Sequence, residues 1–483
     1  MTPMVVLDPY TGYRGHKSLG FLGGSSDDIF GIDIDLGIVH WHNHLSSGLK
    51  PQGGSVSSCP GGMTSPLARP TNLALPTAQA SRGGGRARGS PARSEVGEPG
   101  QGAVGLESTP PARGGGAAPV TQVAPAAPAA PRIVPPNAVY AISSDGMLQT
   151  MYVSNGADAE PPAKFLPAHA NALGLIVVNN IAYAETTQGC GGSSNGVWAF
   201  DLTSREVTAW NSNSSGTRGT AGPAFGPDGT LYVTTGSGDS SQPSHANTLA
   251  ALEPKSLKLK NWFTPVTEEF TSSPVVFPFQ DKMLIAAAAR GERIYLLDAA
   301  TMGGSDHQTA LDKTPSSSNR ADFIPGALAT WQDSAGGRWI LAPAAGPVVS
   351  GAGLTATNGR VVNGAIVAWK VVDHNGVPTL QPGWVSRDMV SPLTPIVVDG
   401  VIFAVSSGEY RSGDRQLTSA QRVQRSVPAI LYALDAATGK ELWNSGNTIA
   451  SFVHSGGLSA SANQIYLGTY DGTLYAFGFP IEH

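Results

Sequence analysis

Apolar positions along this chain fall in short β-branched or aromatic runs. Pro395-Ile396-Val397-Val398 is followed by Val401-Ile402-Phe403-Ala404-Val405, with Asp399-Gly400 between them. The same punctuation recurs at Asp228-Gly229 and Asp471-Gly472. Asp-Gly between two apolar runs predicts a hairpin, because Gly supplies the positive φ that a tight turn needs. No 11-residue window of helical periodicity stands out, so the pattern predicts an all-β chain.

One unit recurs. Its clearest copy is Leu431-Tyr432-Ala433-Leu434-Asp435-Ala436-Ala437-Thr438-Gly439-Lys440-Glu441-Leu442-Trp443. Seven further copies align on Asp435: Ile29 to Trp41 around Asp33, Leu148 to Gly156 around Tyr152, Val197 to Trp210 around Asp201, Leu249 to Trp262 around Glu253, Ile294 to Gly304 around Asp298, Ile366 to Gly376 around Lys370, and Leu474 to Gly478. From Asp201 to Glu253 is 52 residues, from Glu253 to Asp298 is 45, and from Asp435 to Gly478 is 43. A period of this size belongs to propeller blades or to helical arrays, and the strand signals select the propeller. The expectation is an eight-bladed β-propeller of four-stranded antiparallel blades. Within each unit, Asp-x-x-Thr-Gly reads as a turn: the carboxylate accepts backbone N–H groups and Gly takes positive φ. The terminal indoles Trp41, Trp210, Trp262 and Trp443 read as apolar plates, each burying about 150–250 Å² against the next blade.

The run Ala433 to Trp443 resembles the tryptophan-docking repeat of the pyrroloquinoline quinone (PQQ) propellers. That superfamily includes the quinoprotein alcohol dehydrogenases and the BamB-like outer-membrane assembly lipoproteins. The resemblance covers roughly 20–45 and 138–478, and eight copies match its eight-bladed ring. The last copy ends at Phe477 without an outer strand carrying Trp. Met4 to Leu7 is expected to supply that strand and close the ring, since closure removes exposed edges.

Composition divides the chain. Residues 46–136 hold 16 Gly and 15 Pro in 91 residues and no Phe, Trp or Tyr, too little apolar surface to offset the entropy of ordering. They are expected to be a disordered insertion, with Ala124 to Pro128 extended and the Arg-rich run Arg82 to Gly89 solvated. The expected organisation is then 1–45 as closing strand and first blade, 46–136 as insertion, and 137–483 as the remaining blades. A net charge of −5 argues against a nucleic-acid binder that relies on a basic surface. No apolar stretch approaches the length of a membrane-spanning helix. Cys59 and Cys190 are the two cysteines, which rules out a disulfide framework and a Cys-rich metal site. No C-x-x-C-H occurs, so covalent haem is not expected. Met1 to Gly20 lacks the basic start and apolar run of a secretory signal. Either the protein stays inside the cell or the chain begins downstream of its true start.

The resemblance implies PQQ at the ring axis, stacked on a Trp floor and held with Ca²⁺ by Glu and Asn. It also implies a covering ring of adjacent cysteines and a periplasmic or secreted location. The matching stretch is Gly189-Cys190-Gly191-Gly192-Ser193-Ser194-Asn195-Gly196-Val197-Trp198, in which Gly191 replaces the second cysteine, so the adjacent-cysteine disulfide cannot form. Cys190, Trp198 and His454 are the candidate cofactor contacts, and Glu185 and Asn195 the candidate Ca²⁺ ligands. Asp322 and Asp388 lie between blades but neither stands out as a catalytic base. His40, His42 and His44 alternate and so share one strand face, a spacing that can chelate a metal or simply meet solvent. Arg218, Arg290, Arg387 and Arg425 precede or separate blade strands, where they can bind an anion or form inter-blade salt bridges. Gly236-Ser237-Gly238 has no helix after it and carries no phosphate-loop signal. Two functions follow: a quinoprotein oxidising an alcohol or sugar, or a non-catalytic scaffold for a protein partner.

Overall fold

The computed structural model describes residues 1–12, 15–45, 59, 62–73, 137–238, 245–266, 268–317, 326–348, 352–354, 356–411, 418–454, 457–461 and 464–478. Asp322, Arg82 to Gly89, Ala124 to Pro128 and the rest of 74–136 lie outside them. The chain forms eight antiparallel sheets in sequence order, the blades of a propeller. Blade 1 runs from its inner to its outer strand as Val5–Gly12, Gly15–Gly23, Asp28–Asp33 and Ile38–His44. Blade 3 is Asn171–Val178, Ile181–Thr187, Gly196–Asp201 and Val207–Asn211. Blade 7 is Ile396–Val398, Val401–Ser406, Ile430–Asp435 and Glu441–Asn444. In every blade the third strand is the one that carries the aligned repeat. One short helix, Ser419–Arg425, interrupts blade 7; Thr418 and Gln421 form its capping box.

The strands are apolar on both faces because each blade is covered on both sides. In Ala138–Ile142 all five residues are buried. Tyr140 and Ile142 pack toward blade 3 with Leu175, Val177 and Phe200. Val139 and Ala141 point the other way, toward Phe21, Ile29 and Trp41 of blade 1. Alternation along a strand thus feeds two different cores. Apolar clusters of this kind fill all eight blade interfaces.

The last interface corrects an expectation. Met4 to Leu7 does not complete the last blade. Val5–Gly12 is the inner strand of blade 1, with Val5 opposite Phe21 and Leu7 opposite Leu19. Blade 8 is Leu458–Ser461, Gln464–Gly468 and Leu474–Gly478, three strands among the described residues. Side-chain packing closes the ring: Met4, Leu22 and Ile34 of blade 1 meet Tyr466 of blade 8. The Ser459 hydroxyl donates to the Met4 carbonyl across the same seam.

The segment expected as a disordered insertion also needs correction at its start. Ser65, Leu67 and Ala68 are buried, and Ala68 bridges Tyr140 in antiparallel pairing. Pro70–Thr71 then runs parallel to Val177 and Val178 of blade 3. Ala68 thus occupies the inner position of blade 2, beside Ala138–Ile142, Met147–Tyr152 and Asp158–Lys164, while Pro70–Thr71 joins the sheet of blade 3. Gly and Pro dominate the segment's composition and conceal one strand-sized apolar run.

The repeat turn behaves as its residues require. Asp435 Oδ1 accepts the Thr438 N–H at 2.8 Å, and Asp201 Oδ1 accepts the Thr203 N–H at 2.8 Å. Four residues after the aligned position, φ is positive in six copies: Gly37, Gly156, Arg205, Leu257, Met302 and Gly439. Where that residue is Gly, the indole of the preceding blade can sit on it. Trp41 packs on Gly156 and donates its indole N–H to the Val153 carbonyl at 2.9 Å. Trp384 does the same on Gly439 and donates to the Ala436 carbonyl at 3.0 Å. Trp384 has no place in the sequence alignment because the hairpin of blade 6 is longer. Trp443, by contrast, is 46% exposed and meets only the edge of Phe477 among ring contacts. Trp210 and Trp262 are half-buried, and Trp262 stacks on His307 at 3.8 Å. Replacing Trp384 by Ala is therefore expected to lower stability by about 3–5 kcal/mol, and Trp443→Ala by well under half of that. Urea denaturation of the two variants measures the difference; equal losses would contradict the docking geometry.

Candidate functional site

In each blade the link between second and third strands, and the link from outer strand to the next inner strand, emerge at the same end of the ring. The sequence candidates Glu185, Cys190, Asn195 and Trp198 gather there, on blade 3. Ile181–Thr187 ends in a Gly-rich turn, Cys190–Gly192, before Gly196–Asp201 begins. Cys190 is buried and disulfide-bonded to Cys59, 131 residues away. Two cysteines do not make a framework, yet they make this one bridge. The bond ties the approach to blade 2's inner strand onto the turn of blade 3. Cys190 is therefore not a lone loop thiol. The pairing was not legible from spacing, because the chain between the two residues is long and rich in Gly and Pro.

Glu185 is fully enclosed between Leu173 and Val197 on the flanking strands. Burial pushes its carboxyl up to about 8, opposed only by the neighbouring Thr217 hydroxyl, and Oε2 has no hydrogen-bond partner. The group is thus neutral at pH 7. Asn195 spends its amide on the backbone: Oδ1 accepts the Gly189 N–H and Nδ2 donates to the Ser214 carbonyl, both at 2.7 Å. Trp198 donates its indole N–H to Thr186 Oγ1 at 3.0 Å and packs partly into the core between blades 2 and 3. A calcium ion needs several oxygen ligands, carboxylates foremost. Of the two candidates, Asn195 already has both amide atoms in backbone hydrogen bonds, while Glu185 Oε2 has no hydrogen-bond partner among the described residues. Among the described residues, no group of three or more His, Cys, Asp or Glu side chains could hold a metal.

His454 lies elsewhere, on the link from blade 7 to blade 8. Its Nδ1 meets Glu409, whose other oxygen accepts from Arg411 Nε at 2.7 Å. Burial works against ionisation of Glu409, yet His454 and Arg411 hold its carboxyl below the usual value. Glu409 and Arg411 carry no sequence signal, since they flank a loop of no evident pattern. The four arginines do not assemble into an anion site. Arg218 and Arg290 both pair with Glu269, Arg387 pairs with Glu441, and Arg425 lies over the Tyr410 ring. Asp388 accepts the Val362 and Asn363 N–H groups and so staples a loop. His42 and His44 both reach Asp28 Oδ1, at 2.9 and 3.1 Å, while His40 meets Lys17 and the Ser154 carbonyl.

No protein-family model matches the chain, and no curated protein matches it. Many solved structures are similar to it, two of them as follows. BamB from Moraxella catarrhalis aligns over 100% of this chain and 98% of its own, at 10% identity and a TM-score of 0.46. Quinohemoprotein alcohol dehydrogenase from Comamonas testosteroni aligns over 93% of this chain and 68% of its own, at 12% identity and a TM-score of 0.49.

Two outcomes follow from the blade 3 geometry. Cys59→Ser is expected to lower stability by about 2–5 kcal/mol, since the bridge restrains the unfolded chain; an unchanged urea midpoint would mean that the bond does not form. Glu185 keeps its proton in the folded chain up to about pH 8 but loses it near 4.5 once unfolded. Unfolding releases that proton between these limits, so stability falls as pH rises through them. Glu185→Gln should shrink the loss between pH 5 and pH 8 by on the order of a few kcal/mol. An unaltered pH slope would show that the carboxyl is charged in the fold.

Proposed function

We propose that this chain is a non-catalytic propeller that binds a protein partner. The observation that carries the reading is where its large apolar side chains meet solvent. Leu36, Ile38 and Val39 on blade 1, Leu442 and Trp443 on blade 7, and Tyr470 on blade 8 are each more than 40% exposed. They lie on three consecutive blades and make up six of the twelve exposed large apolar side chains among the described residues, the others being Tyr152, Val207, Val266, Val362, Val377 and Val427. Exposed apolar side chains on neighbouring blades offer a contact surface to another macromolecule. The alternative, quinone-dependent oxidation of an alcohol or sugar, is less favoured because Asn195, its candidate calcium ligand, already has both amide atoms in backbone hydrogen bonds. The Cys59–Cys190 bond supports an oxidising compartment, in keeping with a periplasmic or secreted location. No helix among the described residues is long and apolar enough to cross a membrane.

The reading is tested by incubating the protein with PQQ and Ca²⁺ and passing it over gel filtration. The quinone absorbance is expected to elute apart from the protein. Stoichiometric co-elution would overturn the proposal and restore the oxidoreductase.

A further inference from the structure

A cleft of about 580 Å³ lies between blades 6 and 7, a volume in the range of small-molecule sites. Three segments build it. Thr357 to Arg360 belong to the link between the second and third strands of blade 6, Arg338–Ala345 and Gly364–His374. Arg387 and Asp388 follow that blade's outer strand, Val377–Val385. Lys440 and Glu441 lead from the repeat turn of blade 7 into its outer strand, Glu441–Asn444.

The walls are tied to one another. Asn358 Nδ2 donates to the Val385 carbonyl at 2.7 Å and to the Thr438 carbonyl at 3.1 Å, so one amide joins all three segments. Asp388 accepts the Val362 and Asn363 N–H groups at 2.8 and 2.7 Å, and Asn363 Nδ2 at 2.6 Å. Trp384 packs on Gly439, the residue before Lys440. A cleft with walls fixed in advance loses little freedom when a ligand enters.

Its carboxylates are engaged and its cations are not. Both oxygens of Asp388 are taken by the loop it staples, and those of Glu441 by Arg387 and Asn444. Arg360 and Lys440 have no ion pair or side-chain hydrogen bond among the described residues. Arg387 spends one terminal nitrogen on Glu441 and lies over the Tyr432 ring at 4.8 Å, yet its buried Nε has no acceptor. Cations elsewhere on the ring are neutralised: Arg218 and Arg290 meet Glu269, and Arg293 and Lys313 meet Glu268.

Cationic donors on three separate segments suit an oxyanion with several terminal oxygens. A phosphate ester offers such oxygens and close to two negative charges. The rest of the lining selects what the phosphate is attached to. Of the residues around the cleft, none carries an aliphatic or aromatic side chain. A lipid chain or a nucleobase would find no apolar or aromatic surface there. The Thr357 hydroxyl and the lone pairs left on Asp388 and Glu441 suit hydroxyl groups instead. We infer that the cleft between blades 6 and 7 binds a phosphorylated sugar or polyol. The phosphate meets Arg360, Arg387 and Lys440, and the hydroxyls meet Thr357, Asp388 and Glu441. The site shares no residue with the apolar surface of blades 7, 8 and 1, so it goes beyond the partner-binding reading.

The test is isothermal titration of the full chain with mannitol phosphate. Saturable binding is expected, weakening as salt is raised. Mannitol and inorganic phosphate, titrated alone, should each bind at least about tenfold more weakly. Arg360→Gln combined with Lys440→Gln should lower the affinity for mannitol phosphate by at least about tenfold. Lys258→Gln, at an exposed lysine beside the outer strand of blade 4, should leave it unchanged. Arg360 and Lys440 are exposed, so the double variant is expected to keep the urea midpoint of the parent. Hydrogen exchange should slow at 357–360 when mannitol phosphate is bound. Should the double variant fold poorly, the preference for the ester and the exchange pattern still decide. Four results would each overturn the inference: no saturable binding, equal affinity for inorganic phosphate, affinity untouched by the double variant, or an equal loss in Lys258→Gln.

Discussion

Each blade of this propeller is apolar on both faces, and a sheet of that kind is stable only when both faces are covered. This constraint organises the molecule. Residues alternate along a strand, so Tyr140 and Val139 serve different interfaces although they are neighbours in sequence. Eight interfaces then require eight blades to meet in a circle, since an open row would leave one face of each terminal blade in water. The seam between blades 8 and 1 is held in this way, by Met4, Leu22, Ile34 and Tyr466, without any exchange of strands between the ends.

On that ring the indole seats are a refinement. They need a residue at positive φ with no side chain, a neighbouring outer strand, and a Trp in the right place on it. Among the described residues, Gly156 and Gly439 alone have all three. At Arg205 the same backbone position is held by a side chain that reaches Glu160 of the preceding blade, so an ion pair stands where an indole would. At Leu257 and Met302 the residue itself is buried and fills the space. The repeat thus tolerates several chemistries in one geometry.

The chemistry at the loop end of blade 3 shows how burial overrides residue type. Glu and Asn beside a cysteine and a Trp form a plausible ligand set on paper. Enclosure between two strands raises the Glu carboxyl, and two loop backbones claim the Asn amide. Nothing in the order of the residues distinguishes a carboxylate that faces an axial cavity from one sealed in a wall. The same is true of Glu292, whose burial raises its carboxyl well above the ordinary value within a turn that reads as solvated.

Local pattern determined the class of structure: short β-branched and aromatic strands, Asp-anchored turns, and a repeat whose eight copies all fall on the third strand of a blade. Those properties depend on neighbours within about a dozen residues, so the order of residues contains them. Contacts between distant segments had to come from the folded chain. They include the Cys59–Cys190 bond, the strand hidden between Leu67 and Thr71, and the choice of Trp384 over Trp443 as a docked indole. They also include the role of Val5–Gly12 as an inner rather than a closing strand. Each depends on which surfaces meet in space, and a chain rich in Gly, Pro and loops of unequal length does not encode that meeting in any regular spacing.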